Sequence, residues 1–300
     1  MYGPSTRSIH ADRQLAELPD VAPALRPSST FEDGTGRRYR RTSHETTERL
    51  EAVIGSLEGG HAVVYASGMA AVAAALDHYQ PRRIVLPDVY HGVRDLVARL
   101  SQRGVLEVVG SDELQRGDVS WVETPSNPKC AITDLEAAVA HAHAVGAHVV
   151  CDATFATPIA LNPLQFGVDM VMHSATKALA GHSDALAGVL VVGSEGSASD
   201  LRDARALTGA VPGSMDSWLT LRGIRTLALR VGRATESAGM IARLLSERGL
   251  ATYYPGLESH PGHDIALSQM RGMGSIVSVD LDTRHDAAAF IGALEVFTSA

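Results

Sequence analysis

His173-Ser174-Ala175-Thr176-Lys177-Ala178-Leu179-Ala180-Gly181-His182-Ser183-Asp184 is the stretch that decides how this chain is read, together with Val149-Val150-Cys151-Asp152-Ala153-Thr154 one strand upstream. A lysine closing a hydrophobic strand, preceded by two hydroxyls and followed by glycine-containing chain, is the pattern of a Schiff-base lysine beside a phosphate site. Pyridoxal phosphate suits all of it. Its aldehyde needs an amine (Lys177), its phosphate needs hydroxyls and backbone amides (Ser174 and Thr176), and its ring nitrogen needs a carboxylate (Asp152). A lone strand-end lysine usually only extends into solvent, and a lone aspartate there often only caps a helix. The combination carries the assignment.

Working outward, short apolar runs alternate with helical spacings. Strands are expected at Ala62–Tyr65, Ile84–Leu86, Val119–Val122, His148–Cys151, Met170–Met172 and Gly188–Val192. Leu50, Val53, Ile54 and Leu57 follow helical spacing and stop at Gly59-Gly60; Val93 to Leu100 and Leu135 to Ala142 do likewise, the latter opened by a capping box at Thr133 and Glu136. This alternation predicts an α/β fold with a mainly parallel sheet covered on both faces. Its strand ends run into Ser67-Gly68-Met69, Asp88-Val89-Tyr90, Glu123-Thr124-Pro125-Ser126-Asn127, Asp152-Ala153-Thr154 and the Lys177 run, where open α/β sheets bind ligands. Ser67-Gly68-Met69 opens a helix, so its amides suit an anion; Tyr90 suits stacking on a flat ring.

Residues 1–45 lack steady periodicity and read as an extended arm; residues 46–230 read as the large cofactor-binding domain. From 231 to 300 a long helical pattern (Arg233–Arg248), a strand-like Ser275–Val279 and a last helix near Asp286–Phe297 read as the start of a smaller α+β domain.

With 300 residues the chain can bury roughly three quarters of its unfolded surface. Net charge −8 with signs interspersed, and only 5% aromatic residues, argue against a nucleic-acid or anionic-membrane partner and for a small-molecule substrate. Cys130 and Cys151 form no spaced motif, and the N-terminus has no apolar signal stretch, so the expected location is the cytoplasm. Thirteen histidines show no ligand spacing, so no metal is expected, and no Gly-x-Gly-x-x-Gly follows the first strand.

These motifs, with Tyr39-Arg40-Arg41-Thr42, Leu57-Glu58-Gly59-Gly60, Glu123-Thr124-Pro125-Ser126-Asn127-Pro128, Tyr254-Pro255-Gly256-Leu257 and Ser259-His260-Pro261, resemble the Cys/Met-metabolism family of pyridoxal-phosphate enzymes. That trans-sulfuration family includes cystathionine γ-lyase, γ-synthase and β-lyase and methionine γ-lyase. The resemblance implies the aspartate-aminotransferase type of fold, with a seven-stranded sheet, and a homotetramer of dimers that share active sites. By position it makes Lys177 the Schiff-base lysine, Asp152 the ring-nitrogen partner and Tyr90 the stacking phenol that assists proton transfer. Ser67, Gly68, Met69, Ser174 and Thr176 would hold the phosphate, Asn127 and Thr154 would line the cofactor, and Tyr39 and Arg41 would reach the neighbouring subunit's phosphate.

The chain departs from the family at Ser43-His44-Glu45 (usually Asn-Pro), Ala153 (usually Asn) and Val93 (usually Thr or Ser). It also ends at Ala300, before the family's Ser-Leu-Gly-Gly segment and carboxylate-binding arginine, which suggests a missing C-terminal end. The expected activity is a C–S lyase acting by γ-elimination on cystathionine or a related sulfur amino acid. The alternatives are γ-replacement of the cystathionine γ-synthase type and, in another class, a truncated, non-catalytic homologue that binds the cofactor.

Overall fold

The β-branched runs assemble into one seven-stranded sheet in the computed structural model, which describes residues 2–17, 20–281 and 283–297. Its strands are β1 (His61–Tyr65), β2 (Arg83–Val85), β3 (Glu107–Val108), β4 (Val119–Glu123), β5 (His148–Asp152), β6 (Met170–His173) and β7 (Gly188–Val192), in the order β1-β7-β6-β5-β4-β2-β3. Pairing is parallel from β3 across to β6, and only β7 runs antiparallel to its neighbours. All six expected strands are present. β3 was not foreseen: two exposed edge residues carry no readable period.

Side chains alternate across the sheet and divide the core in two. Val149, Cys151, Val171, Val189 and Val191 pack on one side with Leu50, Val53, Ile54 and Leu57 of helix Glu45–Glu58. Val150, Met170, Met172, Leu190 and Trp121 pack on the other with Ala71, Val72 and Ala75 of helix Gly68–Tyr79. This double burial is why the central strands read as unbroken apolar runs.

Helix Glu45–Glu58 ends at Gly59, whose φ of 81° is the left-handed cap expected there. Helix Leu135–Ala144 is capped one residue later than expected: Asp134 Oδ1 accepts from Ala137 N, while Thr133 N is already committed to Thr124 Oγ1. Beyond the sheet, helix Leu227–Glu247 spans the boundary placed at 230/231 and leads to the two-stranded pair β8 (Ala251–Tyr253) and β9 (Ser278–Asp280). The strand expected from Ser275 begins only at Ser278. The last helix spans Arg284–Gly292, shorter than the pattern suggested. No helix among the described residues is long and apolar enough to cross a membrane.

The N-terminal segment is not extended throughout. Pro4–His10 is a helix, with Pro4 in its first turn, and Asp12 behind it is fully buried. Asp12 Oδ2 accepts from Arg49 Nε and from Arg225 Nη2, both at 2.8 Å. Burial alone would raise the Asp12 carboxyl; the Arg225 and Arg49 guanidinium groups outweigh it and hold the carboxyl below its ordinary value. Asp12→Ala is therefore expected to lower unfolding stability by about 3 kcal/mol, because it removes the buried carboxylate that two guanidinium groups share. A depressed carboxyl contributes fully above its unfolded value and is lost as pH falls through the folded one, so the gap between wild type and variant in urea unfolding should close below about pH 4.

Candidate active site

The carboxyl ends of β4, β5 and β6 open onto one cavity of about 490 Å³. Ser67, Gly68, Met69, Tyr90, Asn127, Asp152, Thr154, Ser174, Thr176 and Lys177 all line it, so ten of the twelve sequence-predicted site residues meet in one place. Tyr39 and Arg41 do not. The Arg41 guanidinium lies over the Tyr39 ring, 5.4 Å from its centroid, and donates to Ala206 O, in a separate surface hollow with Ser29, Gly209 and Val211.

One corner is made for an anion. Ser67 caps helix Gly68–Tyr79, its Oγ accepting from Ala70 N at 3.1 Å, which leaves the Gly68 and Met69 N–H groups without hydrogen-bond partners among the described residues. A side chain at Gly68 would come within 3.2 Å of the Ser174 Cβ and Oγ, and one at Gly188 within 2.2 Å of Ser67 O. Both glycines allow the helix start, the Ser174 hydroxyl and β7 to converge. Thr176 is more committed than expected: its Oγ1 bonds both the N–H and C=O of Ala187, which holds the strand entry beside the corner.

Asp152 ends β5. Its Oδ1 accepts from Thr154 N at 2.9 Å and Oγ1 at 2.5 Å, and Thr154 Oγ1 accepts from Ser174 N at 2.8 Å. This chain of bonds links the carboxylate to the anion corner. Oδ2 has no hydrogen-bond partner among the described residues. Burial raises the Asp152 carboxyl, opposed by the two Thr154 bonds and by His173, and a cation at Oδ2 would favour its ionised form.

Lys177 sits four residues past the end of β6, on a turn rather than on the strand itself, and its N–H bonds Ser174 O at 3.1 Å. Its Nζ has no hydrogen-bond or ion-pair partner among the described residues. Lys177 and Lys129 are the only two lysines of the chain. Lys129 is engaged elsewhere: its Nζ pairs with Asp280 at 2.9 Å and lies 4.7 Å from the Tyr253 ring centroid. That scarcity was available in the sequence and is a stronger signal than the local motif.

Two charged residues at the site were given no role from the sequence. Glu123, directly across the β4–β5 register from Asp152, lines the cavity. Arg230 donates to Ala178 O at 2.8 Å, and to Leu179 O and Gly223 O, clamping the turn that follows Lys177; no carboxylate pairs with it among the described residues. Any side chain at Gly181 would collide with that guanidinium.

The residues fit pyridoxal phosphate. An unpartnered carboxylate oxygen, a lysine amine without a partner among the described residues and free helix N-terminal amides line one cavity of suitable size, and in kind they are what the cofactor's ring nitrogen, aldehyde and phosphate require. Apolar side chains, among them Val93, Phe155, Leu186 and Ile276, form the rest of the wall.

Comparison with known proteins agrees. The family model described as Cys/Met metabolism PLP-dependent enzyme matches residues 5–300. The chain is 38% identical to a cystathionine γ-synthase of Mycobacterium tuberculosis, over 95% of this chain and 80% of that protein. It is 37% identical to a cystathionine γ-lyase of Bacillus subtilis, over 89% and 74%. A crystal structure of cystathionine gamma synthase from Xanthomonas oryzae pv. oryzae, in complex with aminoacrylate and cysteine, superposes with a TM-score of 0.93 at 32% identity, covering all of this chain and 84% of that one.

Proposed function

Because the chain belongs to the Cys/Met-metabolism family of pyridoxal-phosphate-dependent enzymes, we propose that it cleaves the γ-carbon–sulfur bond of cystathionine or a related sulfur amino acid. The observation that carries this reading is the convergence of an unpaired lysine amine, a half-free buried carboxylate and an anion corner in a single cavity. The apolar wall at Val93, Leu186 and Ile276 suits a thioether chain.

When bound, the cofactor supplies an aldehyde and an electron-withdrawing protonated ring. Lys177 would hold it through Nζ, Asp152 would keep the proton on its ring nitrogen, and the Gly68 and Met69 amides with Ser67 and Ser174 would hold its phosphate, beside the strand entry that Thr176 braces through Ala187. Thr154 would fix Asp152, while Asn127 and Tyr90 would orient the ring. Lys177 Nζ would be the base that takes the proton from the substrate Cα, passes it on to the cofactor-bound substrate and, neutral again, takes one from Cβ, while the Tyr90 hydroxyl would deliver a proton to the departing sulfur. With water the products are a thiol, ammonia and a 2-oxo acid. Tyr39 and Arg41 lie outside this chain's own cavity, which supports the reading that they complete a neighbouring subunit's phosphate site in a homotetramer. A cytoplasmic location goes with this chemistry.

γ-Replacement is the second reading, favoured by the similarity to the mycobacterial γ-synthase. Product analysis separates the two. Incubation with L-cystathionine alone is expected to release 2-oxo acid and cysteine; cystathionine formed from cysteine and an activated homoserine, with no oxo acid from cystathionine alone, would replace the lyase reading with the synthase one.

A further inference from the structure

Glu123 ends β4 and is buried, with 7% of the residue exposed. Its Oε2 accepts from Tyr90 N at 2.6 Å, and its Oε1 accepts from Asn127 N at 2.9 Å. Tyr90 arrives on the loop after β2, and Asn127 on the loop after β4. We propose that Glu123 is a positioning residue: by gripping both main-chain N–H groups it sets where the Tyr90 ring and the Asn127 amide meet the cofactor ring.

Only a carboxylate suits the geometry, because both partners are donors and each needs its own acceptor oxygen. Burial, then Asp152 across the register, push the Glu123 carboxyl up to about 8 despite the two N–H bonds, so the ionised form with two acceptor oxygens prevails above that value and the variants are compared at about pH 9. Hydrophobic strand ends need no such group. Asp88 is the other nearby acid, and it accepts from Ser126 Oγ at 2.8 Å, joining the same two loops a second time. The loops therefore stay joined when Glu123 is altered, and the change falls on the placement of Tyr90 and Asn127.

The inference rests on the cofactor placement proposed above. It is tested by titrating wild-type, Glu123→Gln and Glu123→Asp apoprotein with pyridoxal phosphate, recording Kd and the visible circular dichroism of the bound cofactor. Glutamine offers one acceptor and turns an NH2 group on the other N–H; aspartate keeps the charge but is one methylene too short to reach both. Each variant is expected to bind about tenfold more weakly or worse and to change the visible dichroism, with kcat falling more than KM rises. Should Glu123→Gln fail to show a cooperative melt, Glu123→Asp carries the same expectation. A folded variant with wild-type Kd and dichroism overturns the role of Glu123 alone. Wild-type protein that binds no pyridoxal phosphate overturns the cofactor placement as well.

Discussion

Lys177→Ala is expected to lower turnover of a sulfur amino acid on the order of 10³-fold or more and to abolish the visible absorption of lysine-bound cofactor. The size of the effect follows from the lysine's two duties, covalent attachment and proton abstraction, which no second lysine can assume. Lys129 is paired with Asp280 and lies against Tyr253. Lys129→Ala should accordingly keep the visible band. The variant at 177 removes no packing from the core, since Lys177 is exposed on its turn, so its unfolding transition should match wild type. Residual turnover near wild type in Lys177→Ala would refute the assignment, and a non-catalytic homologue would show no turnover in either protein.

The second large effect is expected at Asp152. Asp152→Asn keeps the shape and the Thr154 contacts in outline but removes the charge that would hold a proton on the ring nitrogen. A loss of about 10²-fold or more in kcat, with little change in KM, is expected. Stability should move the other way. Burial raises the Asp152 carboxyl, so the folded apoprotein holds a proton that the unfolded chain releases, and stability falls as pH rises from the unfolded value toward the folded one. Asparagine has no such loss. Apo Asp152→Asn should thus be at least as stable as wild type at pH 8 while its holoenzyme is far slower. A variant that is merely unstable, with kcat per folded molecule unchanged, would assign Asp152 a structural role only.

Much of this site was legible because its parts lie at strand ends. A parallel sheet aligns the carboxyl ends of its strands, so locating β4, β5 and β6 in the sequence already gathers Glu123, Asp152 and Lys177 at one edge. Local signals also sufficed for Ser67, whose hydroxyl before a helix is both a cap and an announcement of free amides. Other features depend on partners distant in sequence. Arg230 binds carbonyls some fifty positions earlier, and nothing around it marks it as more than a helical arginine. The role of Glu123 depends on Tyr90, thirty-three positions away. Asp12 lies in a stretch without periodicity, yet Arg49 of helix Glu45–Glu58 and Arg225, in the turn that follows helix Ser214–Ile224, converge on it and order the segment that was expected to be extended. The cap expected at Thr133 is supplied instead by Asp134, whose Oδ1 accepts from Ala137 N, while the Thr133 amide that Glu136 would have bonded goes to Thr124. Thr176 shows the converse, a hydroxyl in the expected place whose bonds go first to Ala187.

The most direct measurement is to load the protein with pyridoxal phosphate, reduce it with borohydride and map the modified peptide by mass spectrometry. With two lysines in the chain the result is binary. A pyridoxyl group on the peptide containing Lys177, and none on the peptide containing Lys129, is the expected outcome. Modification of Lys129, or of neither lysine after full loading, would contradict the placement of the cofactor and the mechanism built on it.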